Sequence, residues 1–187
     1  GDFVKNVKKI VAVLGAGLLI LVTGCSSSNS AATVGKTEIP LKTLQGTVSE
    51  IIEERNKVET TGLTLATGAE LNVNAVRFHV ISVLFDDIAE RIKVKITDAE
   101  IAARRADIVL QVGGEDRIAF SLVGAQIAPR DFERYIRTVL LAEKLGEALK
   151  ANGDTSTDGS GIQKLIVGMG KEEKVTINPR YGVWNYE

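Results

Sequence analysis

In 187 residues the chain holds one cysteine, one histidine, one methionine and three prolines, and aromatic residues make up 5% of it. Each scarcity excludes something. Cys25, alone, forms no intrachain disulfide and no multi-thiolate metal site. His79, alone, leaves a zinc site of the ordinary His/Cys type short of ligands. Serine or cysteine catalysis would have to recruit His79 or a lysine as its base, and no triad-like motif accompanies either. So few aromatics imply an aliphatic core. The formal charge is −1, with no basic patch, which argues against a nucleic-acid partner. No metal and no cofactor are expected.

One long apolar run is present, at residues 10–22, and two readings compete for it. In Val11-Ala-Val-Leu-Gly-Ala-Gly17 a strand and a glycine turn could cradle a dinucleotide. That motif needs a third glycine where Ile20 stands, and a packed helix where Ser26-Ser-Ser-Asn-Ser30 follows. The alternative explains more. Lys5, Lys8 and Lys9 form a positive start, and the run has the length of a secretion signal. It is short of the roughly 20 residues that a spanning helix needs. Val22-Thr23-Gly24-Cys25 resembles the bacterial lipobox, in which small residues let a peptidase reach the bond before the cysteine. The resemblance implies that residues 1–24 are a signal peptide and that Cys25 carries a diacylglyceryl group on its thiol. Residues 25–32 then read as a flexible tether. The remaining chain, of net charge −3 once the three lysines and Asp2 are removed, is one domain of ordinary size.

Along 33–187, Thr33-Val-Gly-Lys-Thr-Glu-Ile39 reads as two short strands about Gly35-Lys36. Pro40 suits a first helical turn, and Leu41, Leu44, Val48, Ile51 and Ile52 recur on one helical face. Residues 71–93 predict the longest helix. One stripe holds Val73, Val76, Val80, Leu84 and Ile88, and a second holds Phe78, Ile81, Phe85 and Ile92, so the helix should be contacted on two sides. Thr97-Asp-Ala-Glu100 is a capping-box pattern opening a helix that Gly113-Gly114 stops. A short helix is expected at about 115–123, and a long one from Pro129 to near Gly153. Residues 162–168 predict one or two helical turns, with Gly168-Met-Gly-Lys171 as a stop. Lys174–Asn178 alternates as a last strand. The expected fold is mainly α (α+β), with four to six helices. A two-residue strand does not persist alone, so the opening hairpin and residues 174–178 should share one small sheet.

This order of motifs resembles the SurA/PrsA-type chaperone domain across nearly all of 33–187. The hairpin at 33–39, the junction Ile96-Thr-Asp-Ala-Glu-Ile101 after the long helix, and Val175-Thr-Ile-Asn-Pro-Arg-Tyr-Gly-Val-Trp184 at the end carry the likeness. Members that isomerise prolyl bonds hold a parvulin domain before the last helix and strand. Here only 152–161 stands there, and parvulin sites use paired histidines. The resemblance therefore implies a non-enzymatic, SurA-like lipoprotein that holds unfolded or extended polypeptide, anchored by lipid on the extracytoplasmic face of the cell membrane. Candidate peptide-binding residues are Phe78 and Phe85 on the long helix and Phe120 on the short one. A membrane-tethered adaptor for one specific cell-envelope protein is the alternative. His79, between apolar positions, reads as a structural histidine.

Overall fold

The computed structural model describes residues 29–156 and 158–185. The expected signal segment, the lipidation residue Cys25 and Tyr186 lie outside them. Strands β1 (Ser30–Val34) and β2 (Thr37–Pro40) pair antiparallel, Val34 opposite Thr37 and Ala32 opposite Ile39. The two-residue turn works because Gly35 takes φ +56°, a region that glycine enters without steric cost. Strand β3 (Thr176–Ile177) joins the other edge of β1, with Ala32 opposite Ile177 and Thr33 opposite Thr176, giving the order β2–β1–β3. Asn178 fastens the junction: its backbone N donates to Ala31 O at 2.9 Å and its Nδ2 to Ser30 O at 3.1 Å. The two ends of the domain therefore meet as β-structure.

One boundary differs from expectation. Ser30, Ala31 and Ala32, assigned to the tether, are strand residues exposed by 2% or less. Their small side chains suit a central strand lying directly on a helix. Serine and alanine also occur in spacers, and only the burial of this stretch separates the two roles.

Six α-helices lie between the strands among the described residues, so the fold is mainly α with a small sheet, as expected. Helix α1 (Leu41–Arg55) starts after Pro40 and buries Leu44, Thr47 and Ile51. Helix α2 (Gly68–Arg91) is the axis of the body. It touches α1, β1, the long helix α5 (Phe132–Ala151) and α6 (Ser160–Glu172). Val76, Val80 and Leu84 on it are sealed from solvent, whereas Ile92 lies past its end and is exposed. Helix α3 (Asp98–Val112) is capped as its sequence predicts. Glu100 N donates to Thr97 Oγ1 at 3.2 Å, and Thr97 N donates to Glu100 Oε2 at 2.8 Å. Lys144 and this cap hold the Glu100 carboxyl down at about 2. Gly113 ends α3 at φ +96°. Ile101, Ile108, Val109 and Val112 of α3 are half-buried, and Leu110 is exposed. It forms an outer layer over a satellite core of Ile118, Leu122, Phe132 and Ile136, the first two from α4 (Ile118–Ala125). Short 3₁₀ turns at Glu115–Arg117 and Pro129–Asp131 lead into α4 and α5. No helix of the described residues is long and apolar enough to cross a membrane.

Helix α6 corrects a second expectation. It runs through 13 residues, and Gly168 and Gly170 sit inside it rather than ending it. Gly170 is there for space. A Cβ at this position would lie 2.8 Å from Trp184 Nε1, whereas one at Gly168 would meet nothing within 4 Å. Two glycines two residues apart should thus respond in opposite directions. Gly168→Ala is expected to raise stability by ~0.5–1 kcal/mol through lower unfolded-chain entropy. Gly170→Ala should lower it by ~1–3 kcal/mol through overpacking. Because Trp184 is the only tryptophan, Gly170→Ala should also red-shift the intrinsic emission, and urea denaturation followed by fluorescence reads both effects.

Candidate peptide-binding groove

Thr47 occupies the apolar stripe of α1, one turn from Leu44 and from Ile51, and is buried. A hydroxyl there must find partners or destabilise the fold. It finds two. Thr47 Oγ1 donates to Asp131 Oδ2 at 2.6 Å. With its proton committed to the carboxylate, the hydroxyl accepts from His79 Nε2–H at 2.9 Å, which fixes the neutral imidazole with its proton on Nε2. His79 Nε2 and Asp131 Oδ2 stand 3.9 Å apart, with the hydroxyl bridging them. All three residues are buried. The direction of the chain matters chemically. Threonine activation would require His79 to accept the hydroxyl proton, whereas here that proton goes to Asp131. The array joins α1, α2 and the start of α5.

Thr47 and Asp131 also form part of the wall of a 330 Å³ cavity between α1, α2, α4 and the turn before α5. Ile51, Leu71, Phe78 and Ile127 give it an apolar lining, and Asn74 and Tyr135 add polar groups. A second clamp shapes the same end of the body. Gln126, at φ +58° after α4, accepts from Ala66 N at 2.8 Å and from Arg55 Nη2 at 3.1 Å through Oε1. Arg55 Nη1 donates to Ala66 O at 2.7 Å. The loop between α1 and α2 is thereby tied to the end of α4. Burial lowers the Arg55 guanidinium from its ordinary range.

The three candidate phenylalanines are not brought together. Phe78 lines the cavity and is half-buried, edge-on to the His79 ring at 5.2 Å. Phe85 belongs to the main core at 6% exposure and also lines a depression on α2. It sits where α2 is covered by the sheet and α6, and helical spacing does not reveal which stripe is covered. Phe120 is exposed on α4, with the Arg117 guanidinium carbon 5.7 Å from its ring centroid. Larger apolar depressions adjoin. One of 580 Å³ lies between α3, α4 and α5, floored by Ile101, Leu122 and Phe132. Another, of 510 Å³, lies between α2, α6 and the tail, and Tyr181 and Trp184 pack at its edge. Among the described residues no group of three or more His, Cys, Asp or Glu side chains is placed to hold a metal ion.

No family profile, curated protein or solved structure matches this chain. The site is thus read from its own geometry. Sequence inspection misses the array because positions 47, 79 and 131 share no spacing. Its one signal is Thr47, a polar residue on a face that is otherwise apolar.

Burial lowers the pKa of His79 from 6.5, and Arg134 adds to this, against the opposing pull of Asp131. The folded state therefore resists a proton that the unfolded chain takes up. The stabilisation is complete above about pH 6.5 and shrinks as pH falls from there toward the folded value. For one group the slope is no steeper than about 1.4 kcal/mol per pH unit. Asp87, raised by burial and by Glu173, acts in the opposite sense at lower pH. The difference between wild type and His79→Gln isolates the imidazole. Denaturation at pH 7.5, 6.0 and 5.0 should show the wild type losing its advantage over the variant as pH falls.

Proposed function

We propose that this chain is a lipid-anchored, extracytoplasmic holding protein for unfolded or extended polypeptides, of the SurA/PrsA type without prolyl isomerase activity. The pairing of β1 with β3 carries this reading. It joins the two ends of the domain over a helical body, the arrangement that the motif order implies. The connection of α5 to α6 is short, so the body closes on itself where related isomerases would carry a further domain. A diacylglyceryl group at Cys25 supplies the two chains that stable anchoring needs. Outside the cytoplasm no ATP drives release, so clients must be held weakly and reversibly. Apolar burial does this because it is non-directional and tolerates many sequences. The cavity beside Phe78 has the required form, an apolar lining with polar groups among it.

Two experiments test the reading. The full chain, reconstituted in lipid nanodiscs, should suppress aggregation of a chemically unfolded client at near-stoichiometric ratio. Phe78→Ala should weaken binding of a labelled apolar peptide about tenfold, Phe120→Ala should leave it unchanged, and Phe85→Ala should cost ~3–5 kcal/mol of stability. No suppression, with a single stoichiometric partner recovered from crosslinked membranes, would instead identify an adaptor. Separately, Cys25→Ser should abolish incorporation of radiolabelled palmitate and move the chain out of the membrane fraction; continued labelling would remove the anchor from the proposal.

A further inference from the structure

Asp131 is 7% exposed, lines the 330 Å³ cavity, and is only half-used by the protein. Oδ2 takes the Thr47 proton. Oδ1 receives no hydrogen bond from the described residues, and although Asp131 stands at the N-cap of α5, its side chain does not cap that helix. The positive end of the α5 dipole favours an anion at this place without occupying its lone pairs. Among the described residues the cationic candidate within 4 Å is His79, and burial lowers its pKa, disfavouring the charged ring. Arg134 reaches instead toward Asp86, at 3.7 Å, and Arg130 toward Glu50, at 3.1 Å. A carboxylate at 7% exposure on the wall of an apolar-lined cavity suits a cation that arrives from outside on an apolar stem.

We infer that the cavity is a side-chain pocket selecting lysine in the bound polypeptide, a specificity that rests on the peptide-holding reading above. The lysine stem would lie along Leu71, Phe78 and Ile127, as long cationic side chains cover apolar surface with their methylenes. Its ammonium would reach Asp131 Oδ1, with the Phe78 and Tyr135 rings lending cation–π attraction. Lysine is favoured over arginine for a geometric reason. Guanidinium binds carboxylate best as a fork on both oxygens, and Thr47 already holds one of them. A point-like ammonium needs only the other.

The test compares three fluorescent, otherwise apolar peptides that differ at a central residue: lysine, arginine or norleucine. Each is titrated against the full chain in nanodiscs. Lysine should bind at least about tenfold tighter than norleucine, and tighter than arginine. Asp131→Asn keeps an acceptor for Thr47 and should erase the lysine preference, leaving norleucine affinity within about twofold. Asn74→Lys places an ammonium on the exposed rim of the same cavity without touching the buried array. It should reduce the preference likewise, and it decides the matter if Asp131→Asn does not fold. Equal binding of lysine and norleucine, or a preference that survives both substitutions, overturns the lysine pocket while leaving peptide holding intact. Arginine bound as tightly as lysine overturns the lysine assignment. Failure of all three peptides to bind overturns the peptide-holding reading, and this inference with it.

Discussion

Everything in this fold is positioned from β1. Strand β3 has two residues, and such a strand has no stability of its own. It exists because β1 already lies on α2 with Ala31, Ala32 and Val34 buried and offers a free edge. Closing a loop of this length costs entropy that grows only slowly with its size, and the apolar burial on both sides of β1 offsets it. The join then propagates. Gly35 N donates to Glu173 O at 2.7 Å, and Val175 N to Gly170 O at 3.1 Å, so the sheet fixes the end of α6. With α6 in place, Gly170 leaves the space into which Trp184 packs. A hairpin of eleven residues and a strand of two thereby set where the last helix and the tail can lie.

Features with a local cause were legible in the sequence. The capping box at Thr97 and Glu100, the glycine stop at Gly113 and the hairpin turn at Gly35 each depend on residues within four positions, and each forms as expected. The meeting of the two ends was legible too, because isolated short strands have to pair with something. Non-local causes were not. Gly168 and Gly170 look like a break, yet one serves close approach of a residue 14 positions later. Ion pairs across elements have no local signal either: Arg104 with Glu143 at 2.8 Å, Arg91 with Glu172 at 2.7 Å, Arg137 with Asp86 at 3.0 Å. Exposed pairs of this kind add little stability singly. Phe85 and Phe78 are separated by only seven residues on one helix. They line different depressions, and Phe85 is buried while Phe78 is half-buried, because α2 is covered unevenly along its length.

The Thr47–His79–Asp131 array is the place among the described residues where a histidine and a carboxylate enter a largely aliphatic interior. Replacing it with packed apolar residues would fill the same space without desolvating a carboxylate. Its directional bonds do something that apolar packing does not: they register α1, α2 and the start of α5 against one another at one wall of the cavity. Under the holding function proposed above, a pocket that meets clients of many sequences could not rely on any client to shape it, and its walls would have to be held from behind.

Size sets how tightly such a pocket can hold. Fully burying one apolar side chain yields ~1.5–3 kcal/mol, and a millimolar complex already needs about 4 kcal/mol. One seated apolar side chain therefore anchors a polypeptide no better than millimolar. Micromolar holding, at about 8 kcal/mol, requires several side chains seated at once. The depressions of 580 and 510 Å³ between neighbouring helices supply further apolar surface for them. Under the holding function proposed above, the extended state of the client would be what is recognised, because only an extended chain presents successive side chains to separate cavities, and folding withdraws them. Release would then need no energy source: each side chain would leave a shallow site, and a client that folds would not return.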